Sequence, residues 1–313
     1  MAVLVLAHPL PDAPFAEALR RLAPDGLPIW TAADAPPPEA VEAILAWRMK
    51  PGVLPRYPAL RVLCSTGAGV DKLLAAPDLP PGLPVTRVAD PRQAVEIAQY
   101  AAACALAFTR DLDRYRAQQR RAAWERHPVR PPEACRVGIL GAGAVGRAVA
   151  RAFLALGYPV AAWSRGARPA GLDADAAHHG GADALPGFLA AADILVCALP
   201  LTPRTRGLLD RATLSRLPRG AFLVNVGRGE HVVEPDLREL LDAGHLAGAA
   251  LDVFDREPPA PDDWVWSHPA VRATPHIAAQ AGFDTVAAQC LQALAEARAG
   301  ARPRHAVDRD AGY

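Results

Sequence analysis

The chain has 313 residues and a mass of 33.0 kDa, too much for one ordinary hydrophobic core, which predicts two domains. Hydrophobic residues make up 51% and charged residues 21%, so the composition predicts a folded protein rather than a disordered one. The formal net charge of +1 gives no electrostatic reason to expect nucleic acid or an anionic membrane as a partner.

The first residues, MAVLVLAHPLPDAP, lack the basic segment of a signal peptide, and no uninterrupted apolar run predicts a membrane span. The five cysteines are scattered, with neither a CxxC pair nor the spacing of a metal site. This pattern favours buried free thiols in a reducing compartment. We therefore expect a cytoplasmic protein with no metal ion.

The first third of the chain alternates strand-like and helix-like segments, which predicts a parallel sheet covered by helices. Asp12 is a plausible N-cap of the first helix. Gln93 to Gln119 predicts a long helix, broken at most once, before the proline-rich linker ERHPVRPPEA. The predicted strands are AVLVLAH, LPIWTA, RVLCSTG and LPVTRVA, and the predicted helices are DAPFAEALRRLA, PPPEAVEAILAW and GVDKLLAA.

A second alternating set begins at Arg136. Its predicted strands are RVGILG, YPVAAWS, ADILVCALP, AFLVNVG, LAGAALDVF and VRATP. Helices are predicted at 144–156, in EPDLRELLDAG up to Gly244, and from Thr285 to Arg298. We therefore expect an α/β fold with two doubly wound parallel sheets. The last helix is expected to pack on the first of the two units. The predicted domains are 1–100 with 281–313, and 101–280.

The stretch GILGAGAVG carries the pattern G-x-G-x-x-G in Gly141, Gly143 and Gly146, between a predicted strand and a predicted helix. In this context the glycines permit a tight turn, close approach of a pyrophosphate and close packing of helix on strand. The helix that opens with Ala144 and Val145 offers N–H groups to the phosphates. The loop predicts dinucleotide binding, with a tight turn that binds nothing as the alternative.

The next strand ends in AAWSRGARP, without the Asp or Glu that usually binds the ribose of NAD. A carboxylate would repel a 2′-phosphate, whereas Ser164 can hydrogen-bond to it and Arg165 can pair with it, with Arg168 close behind. We therefore predict NADP(H) in preference to NAD(H). The alternative is that Arg165 is a solvated surface side chain.

Three charged or titratable side chains follow later strands, at the sheet edge where doubly wound folds bind ligands. They are Arg228 in LVNVGRGEHVVE, Glu257 in ALDVFDREPP and His276 in RATPHIAAQ. Each has a structural alternative: the arginine could pair with the diphosphate, the glutamate could cap a turn before Pro258, and the histidine could be solvated.

These motifs, in this order and together with LPLTPRTRGLLD, resemble the D-2-hydroxyacid dehydrogenases that use NAD(P). GAGVDKLL, YRAQQ, WSR and the C-terminal VDRDAGY are similar to the glyoxylate/hydroxypyruvate reductase A subgroup, so the resemblance spans nearly the whole chain. It implies two Rossmann-like domains with a cleft between them. The first, flavodoxin-like, would bind the substrate, and the second would bind NADP.

By this resemblance Arg228, Glu257 and His276 are the catalytic residues. Reduction of a 2-keto acid needs a hydride from the nicotinamide and a proton on the forming alkoxide, and His276 can supply that proton. Glu257 would favour the imidazolium and orient the ring. Arg228 would bind the substrate carboxylate and polarise the keto oxygen.

The resemblance also implies contacts in the first domain. The N–H groups of Ala68 and Gly69 would hold the substrate carboxylate. Trp47, expected after an apolar helix, would line the pocket, with a place in the core as the alternative. Arg92 is a further candidate. WRMKP stands where the subgroup has a WHP-like stretch, so this loop is the place where substrate size would differ.

Further cofactor contacts are expected at later strand ends. Leu199 and Pro200 would lie on the adenine and ribose side, and Thr205 is a candidate phosphate contact. Val226 and Asp252 lie near the nicotinamide in the family, and Asp252 has the alternative of capping a strand end.

The resemblance implies an NADPH-dependent reductase of glyoxylate and hydroxypyruvate. It also implies a homodimer formed through the region containing DLDRYRAQQRRAAW. One alternative is a dehydrogenase of the same family for another 2-keto acid, such as phenylpyruvate. Another is a dinucleotide-sensing regulator without turnover, against which the intact catalytic set argues.

Overall fold

The computed structural model describes residues 2–309, so the end of the VDRDAGY motif, Asp310 to Tyr313, lies outside the described residues. The strands, in chain order, are β1 (Ala2–Leu6), β2 (Ile29–Thr31), β3 (Val41–Ala46), β4 (Val62–Ser65), β5 (Val85–Thr86), β6 (Val137–Leu140), β7 (Val160–Ser164), β8 (Ala177–Gly180), β9 (Ile194–Cys197), β10 (Ala221–Asn225), β11 (Leu246–Leu251) and β12 (Val271–Ala273). The α-helices are α1 (Asp12–Leu22), α2 (Asp71–Leu74), α3 (Pro91–Thr109), α4 (Leu112–Arg120), α5 (Ala144–Ala155), α6 (Leu185–Leu189), α7 (Arg211–Leu214), α8 (Glu234–Asp242) and α9 (Phe283–Arg298).

The chain divides into two compact units, each built on a parallel sheet. Unit 1 holds the described residues up to Asp90 and from Gln280 onward, and unit 2 is Pro91–Ala279. The boundary expected between residues 100 and 101 lies inside α3. That helix packs against α5 along its length, which assigns all of it to unit 2.

The sheet of unit 1 has the strand order β2-β1-β3-β4-β5, the 2-1-3-4-5 order of flavodoxin-like folds. Helices α1 and α9 cover one face, where Leu19 and Leu294 pack against Val3 and Val5 of β1. The other face carries a second apolar cluster that includes Leu73 of α2. Both faces of the sheet are therefore buried, as parallel sheets require.

The helix predicted in PPPEAVEAILAW is wrong. Pro38–Ala40 forms a single 3₁₀ turn, and Val41–Ala46 is β3, the central strand of unit 1. All six of its residues are buried. A strand covered on both faces lacks the alternation of apolar and polar residues, so its sequence does not differ in periodicity from a buried helix.

Asp12 is not the N-cap of α1, as predicted, but its first residue, because Pro11 occupies the N-cap position. The Asp12 carboxylate instead accepts a 2.7 Å hydrogen bond from the backbone N–H of Ala7. This contact fixes the turn between β1 and α1. The prediction failed by one position because the carboxylate stabilises the preceding turn rather than the helix end.

The sheet of unit 2 has the order β12-β11-β10-β9-β6-β7-β8. Counted from β6, this is the 3-2-1-4-5-6 order of the Rossmann fold with one further strand. Helices α3 and α5 cover one face and α6 and α8 the other. The predicted fold, α/β with two doubly wound parallel sheets, is confirmed. The long helix breaks once, as expected, at Asp111, whose φ is 53°.

All five cysteines are buried and free. Within residues 2–309, no helix is long and apolar enough to cross a membrane. Nor does that part of the chain contain a group of three or more His, Cys, Asp or Glu side chains placed to hold a metal ion.

Candidate active site

The glycine loop joins β6 to α5 at the carboxyl edge of the unit 2 sheet. Gly141 has a φ of +103°, and a Cβ on Gly146 would lie 1.8 Å from the Gly141 carbonyl oxygen, so a larger residue has no room at either position. Gly143 is the N-cap of α5, with no side-chain capping bond, and nothing lies within 4 Å of the place where its Cβ would be. The space in front of the first N–H groups of α5 therefore fits a pyrophosphate.

Ser164 ends β7 and contacts the neighbouring strand. Its Oγ lies 2.8 Å from Nε2 of His178 on β8. Arg165 is exposed in the loop that follows. Arg168 donates hydrogen bonds to the carbonyls of Ala176, at 2.9 Å, and Asp173, so it braces the β7–β8 connection. Its contact with a cofactor phosphate stays a prediction.

His276 and Glu257 form a pair. Nδ1 of His276 lies 3.1 Å from Oε2 of Glu257, and Oε1 of the same carboxylate accepts a 3.2 Å hydrogen bond from the N–H of Phe254. With both oxygens engaged, the carboxylate has a fixed orientation. Both side chains are partly accessible, at 30% for the histidine and 23% for the glutamate. Such a pair can hold and transfer a proton at the other ring nitrogen.

Asp252 shapes the loop that carries His276. Its buried carboxylate accepts hydrogen bonds from Thr274 Oγ1 at 2.6 Å and from the N–H groups of Ile277 and Ala278, each at 2.8 Å. The Thr274 hydroxyl is also 2.7 Å from the hydroxyl of Tyr100 on α3, whose pKa is raised by burial. These bonds hold the strand-end loop, which is the alternative that the sequence left open for Asp252.

The backbone of His276 is itself unusual. Its φ of 55° is left-handed, which costs a residue with a side chain about 1–3 kcal/mol. The His276 N–H donates to the Asp252 carbonyl at 2.9 Å, in addition to the bonds made by the Asp252 carboxylate. The surrounding hydrogen bonds therefore stabilise a conformation that the chain would not adopt alone.

Arg228 lies between two glycines after β10. A Cβ on Gly229 would lie 1.8 Å from the carbonyl carbon of Phe254, so this loop packs directly on the segment that leads to Glu257. The Arg228 N–H donates to Nδ1 of His231 at 3.0 Å, and its carbonyl accepts from the Asn225 amide at 2.9 Å. The backbone that carries the guanidinium is thus held at several points.

A family model described as the NAD binding domain of D-isomer specific 2-hydroxyacid dehydrogenases matches residues 102–278. The chain belongs to this family. The dehydrogenase is therefore an NAD(P)-dependent oxidoreductase, and its matched segment lies within unit 2.

Solved structures of other proteins are similar to this chain over its whole length. The dehydrogenase is similar to a D-isomer specific 2-hydroxyacid dehydrogenase from Xanthobacter autotrophicus Py2 in complex with NADPH and MES (36% identity, 100% of this chain and 99% of that chain, TM-score 0.90). It is also similar to an NADPH-dependent glyoxylate/hydroxypyruvate reductase from Sinorhizobium meliloti in complex with NADP and sulfate (32% identity, 100% and 99%, TM-score 0.90). A third similar structure is a family protein from Klebsiella pneumoniae 342 (34% identity, 99% and 98%, TM-score 0.90).

The loop after β9 in the dehydrogenase is held by hydrogen bonds of a threonine hydroxyl. Thr205 is buried, and its hydroxyl donates a 2.8 Å hydrogen bond to the carbonyl of Pro200 while accepting one from the N–H of Thr202. The one proton of this hydroxyl is thus used within the loop, and the contact of Thr205 with a phosphate stays a prediction. Leu199 is buried beside Pro200, and Val226 is half-buried directly after β10.

In unit 1 of the dehydrogenase, Trp47 follows strand β3, not a helix as expected. Its half-buried ring lies against the loop after β4, 3.0 Å from the place where a Cβ on Gly67 would be. That loop contains Ala68 and Gly69 and is closed by a 3.1 Å hydrogen bond from Ser65 Oγ to the Gly69 carbonyl. The structure thus brings three predicted substrate contacts together.

Arg92 lies apart from these residues in sequence, in the first turn of α3. Other residues that contact the predicted site of the dehydrogenase were missed from sequence. His231 follows Arg228 by three positions in a 3₁₀ turn, a spacing that could have suggested a contact. His178 gave no signal, because β8 is a short edge strand with no apolar pattern. Thr274 and Tyr100 meet only through tertiary packing.

Proposed function

We propose that this dehydrogenase reduces small 2-keto acids with NADPH, converting glyoxylate to glycolate and hydroxypyruvate to D-glycerate. The observation that carries the proposal is the 3.1 Å pair of His276 and Glu257, beside an arginine loop held in place by close backbone packing. The similar Sinorhizobium enzyme is named for these two substrates, which supports the choice among 2-keto acids.

Proton transfer is assigned to His276. Its Nδ1–H donates to Glu257, so Nε2 is the atom that gives a proton to the keto oxygen as the alcohol forms. Glu257 stabilises the positive charge of the ring before that transfer. The N–H of Phe254 fixes the other carboxylate oxygen, so the ring keeps one orientation during turnover.

Substrate binding is assigned to Arg228 together with the loop after β4. The guanidinium pairs with the substrate carboxylate and draws electron density from the keto group, which the planar fork of arginine suits. The N–H groups of Ala68 and Gly69 contribute further hydrogen bonds, and Trp47 limits the size of the substrate side chain. Unit 1 is accordingly proposed as the substrate domain and unit 2 as the cofactor domain.

When bound, NADPH supplies the hydride that reduces C2 of the substrate. Gly143 and the first turn of α5 hold its pyrophosphate, and the half-buried side chain of Val226 provides an apolar contact for the nicotinamide. Ser164 and Arg165 bind the 2′-phosphate, at a strand end that has no carboxylate to repel it. The Xanthobacter relative in complex with NADPH supports this preference.

A homodimer is proposed to form through α4 and the segment that follows it. Leu112 and Val129 are each 53% exposed and Trp124 is 92% exposed, so three large apolar side chains are exposed within this one segment of unit 2. Trp124→Asp should yield monomers in sedimentation equilibrium at concentrations where the unmodified protein is a dimer. A monomeric unmodified protein would contradict the assignment.

The proposed activity is tested by the rate of cofactor oxidation with glyoxylate, hydroxypyruvate, pyruvate and phenylpyruvate, each with NADPH and with NADH. We expect the highest kcat/KM for glyoxylate or hydroxypyruvate with NADPH. A preference for phenylpyruvate would assign the dehydrogenase to a larger substrate. Cofactor binding without turnover on any substrate would instead support a sensing role.

A further inference from the structure

His178 lies beside the residue that is proposed to bind the 2′-phosphate of NADPH. Its Nε2 is 2.8 Å from Ser164 Oγ, across the pair β7 and β8. In the register of these strands His178 is opposite Ala162 and Gly180 is opposite Ser164. Because side chains alternate along a strand, Ala162, Ser164 and His178 share one face of the sheet.

That face is the one covered by the helix of the glycine loop. Ala162 packs in the apolar cluster that contains Val149 and Phe153 of α5. The imidazole and the serine hydroxyl therefore lie on the α5 side of the sheet, at the strand end where the adenosine ribose binds in doubly wound folds. The neighbouring His179 points to the opposite face, where its ring lies 5.7 Å from that of Phe188.

We propose that His178 is a third member of the 2′-phosphate site, with Ser164 and Arg165, and that its protonation strengthens the preference for NADPH over NADH. This inference rests on the proposed use of NADPH. A protonated imidazole donates from both nitrogens, so Nε2–H donates to Ser164 Oγ, and the serine hydroxyl, which donates to the Gly166 carbonyl at 3.3 Å, can turn its proton to the phosphate. The positive charge adds a further attraction for the dianion.

The groups around His178 are mostly positive. Burial, and then the charges of Arg168 in the β7–β8 connection and His179 on its own strand, hold the pKa of His178 below its usual 6.5. Arg165 follows Ser164, and the side chain of Arg147 from α5 reaches Gly171 in the same connection. Without a bound phosphate, these positive charges disfavour protonation of His178. A bound phosphate dianion favours it.

The sign of the pH dependence follows from this difference. A bound 2′-phosphate raises the proton affinity of His178, so NADPH binding takes up protons at this group and tightens as pH falls. NADH lacks the phosphate and shows no such effect. The range above pH 6.5 is informative, because the phosphate itself takes up a proton near its second pKa of about 6.

The test is the ratio of the Kd of NADH to that of NADPH, measured by isothermal titration calorimetry at pH 8.0 and 6.5. We expect this ratio to rise about tenfold between the two pH values in the unmodified protein. In His178→Gln it should change less than twofold. His179→Gln, one residue along on the opposite face, is the matched control and should keep a rise of at least about fivefold, because it removes only a neighbouring charge that lowers the pKa of His178.

If the contact of His178 with Ser164 only joins β7 to β8, a different result is expected. In that case His178→Gln would weaken NADH and NADPH binding equally, or would leave the pH dependence of the ratio unchanged, and either result would overturn the inference.

Arg165→Gln separates this failure from that of the proposed function. If Arg165→Gln abolishes the NADPH preference and His178→Gln keeps the full rise of the ratio between pH 8.0 and 6.5, only the role of His178 is lost. If the unmodified protein shows no NADPH preference at either pH, the cofactor assignment itself fails.

Discussion

The backbone N–H of Arg228 donates a 3.0 Å hydrogen bond to Nδ1 of His231, whose ring is fully buried. Since Nδ1 accepts, the ring proton is on Nε2, which lies 3.3 Å from the carbonyl oxygen of Pro200. One imidazole thus joins the loop after β10 to the loop after β9. Through this contact the position of the Arg228 backbone depends on a side chain that is fully buried.

Replacing His231 by leucine removes the acceptor of the Arg228 N–H, a change that costs about 1–3 kcal/mol when the group is buried. We expect the KM for the 2-keto acid to rise about tenfold, and kcat and the Kd of NADPH to change much less. His231→Asn is the matched control, because its side-chain oxygen can still accept this bond. Equal KM values for the leucine variant and the unmodified protein would show that the ring does not position Arg228.

How much of this site the sequence predicts depends on how local each contact is. Gly141, Gly143 and Gly146 lie within one turn, so their spacing alone predicted the loop geometry that the structure has. The contact of His276 with Glu257 crosses two strand ends, and only the resemblance to known motifs brought the two together.

The features that the sequence did not show have a different physical origin. Strand β3 contains AILA, which suits a helix, and its burial on both faces decides the conformation. The sequence offered the capping of a strand end as one role for Asp252, but it did not show that the carboxylate accepts from N–H groups 25 and 26 residues further along the chain. Thr205 has the residue type of a phosphate ligand, but its proton is used within its own loop.

The three hydrogen bonds to Asp252 predict a graded set of variants. In Asp252→Asn the amide places a donor opposite groups that are themselves donors, so we expect a loss of about 1–3 kcal/mol and a fall in kcat as the His276 loop loosens. Thr274→Val removes one donor and should have a smaller effect. Tyr100→Phe, one bond further away, should have the smallest. Melting temperature and kcat measured on all three variants test this order of effects. A reversed order would contradict the role assigned to the Asp252 carboxylate.

Alanine substitutions at two glycines of the phosphate loop should have different effects. Gly146→Ala puts a methyl group 1.8 Å from a backbone oxygen, so the loop must shift and both melting temperature and NADPH affinity should fall. Gly143→Ala meets no protein atom within 4 Å and should keep its melting temperature. Its methyl group enters the space assigned to the pyrophosphate, so we expect the Kd of NADPH to rise at least about tenfold. Unchanged NADPH binding by the Gly143 variant would place the pyrophosphate elsewhere.

The buried Glu42 on β3 should make stability depend on pH. Burial alone would raise the pKa of its carboxyl, but hydrogen bonds from Arg298, with Nε at 2.8 Å, and from Arg61, at 3.0 Å, hold the pKa below its usual value of 4.5. A carboxyl whose pKa is lowered by folding stabilises the protein above its unfolded pKa, and that stability is lost as pH falls through the folded pKa.

Glu42→Gln should therefore lower the melting temperature at pH 7 and reduce its fall between pH 5 and pH 3. Glu39→Gln, on the exposed turn just before β3, is the control and should follow the unmodified protein. Thermal unfolding followed by circular dichroism across this range measures both. Parallel curves for the Glu42 variant and the unmodified protein would contradict a role for this carboxyl in acid sensitivity.

The most direct test of the proposed chemistry is the turnover of Arg228→Ala with glyoxylate and NADPH, beside the Kd of NADPH for the same variant. The account predicts that kcat/KM falls about a thousandfold, a loss of about 4 kcal/mol in transition-state stabilisation, while NADPH binding and the melting temperature stay within error. Arg228→Lys keeps the charge without the planar fork and should recover only part of the activity. If Arg228→Ala retained kcat/KM within threefold of the unmodified protein, the arginine would not be the substrate-binding group, and the proposed mechanism would be wrong.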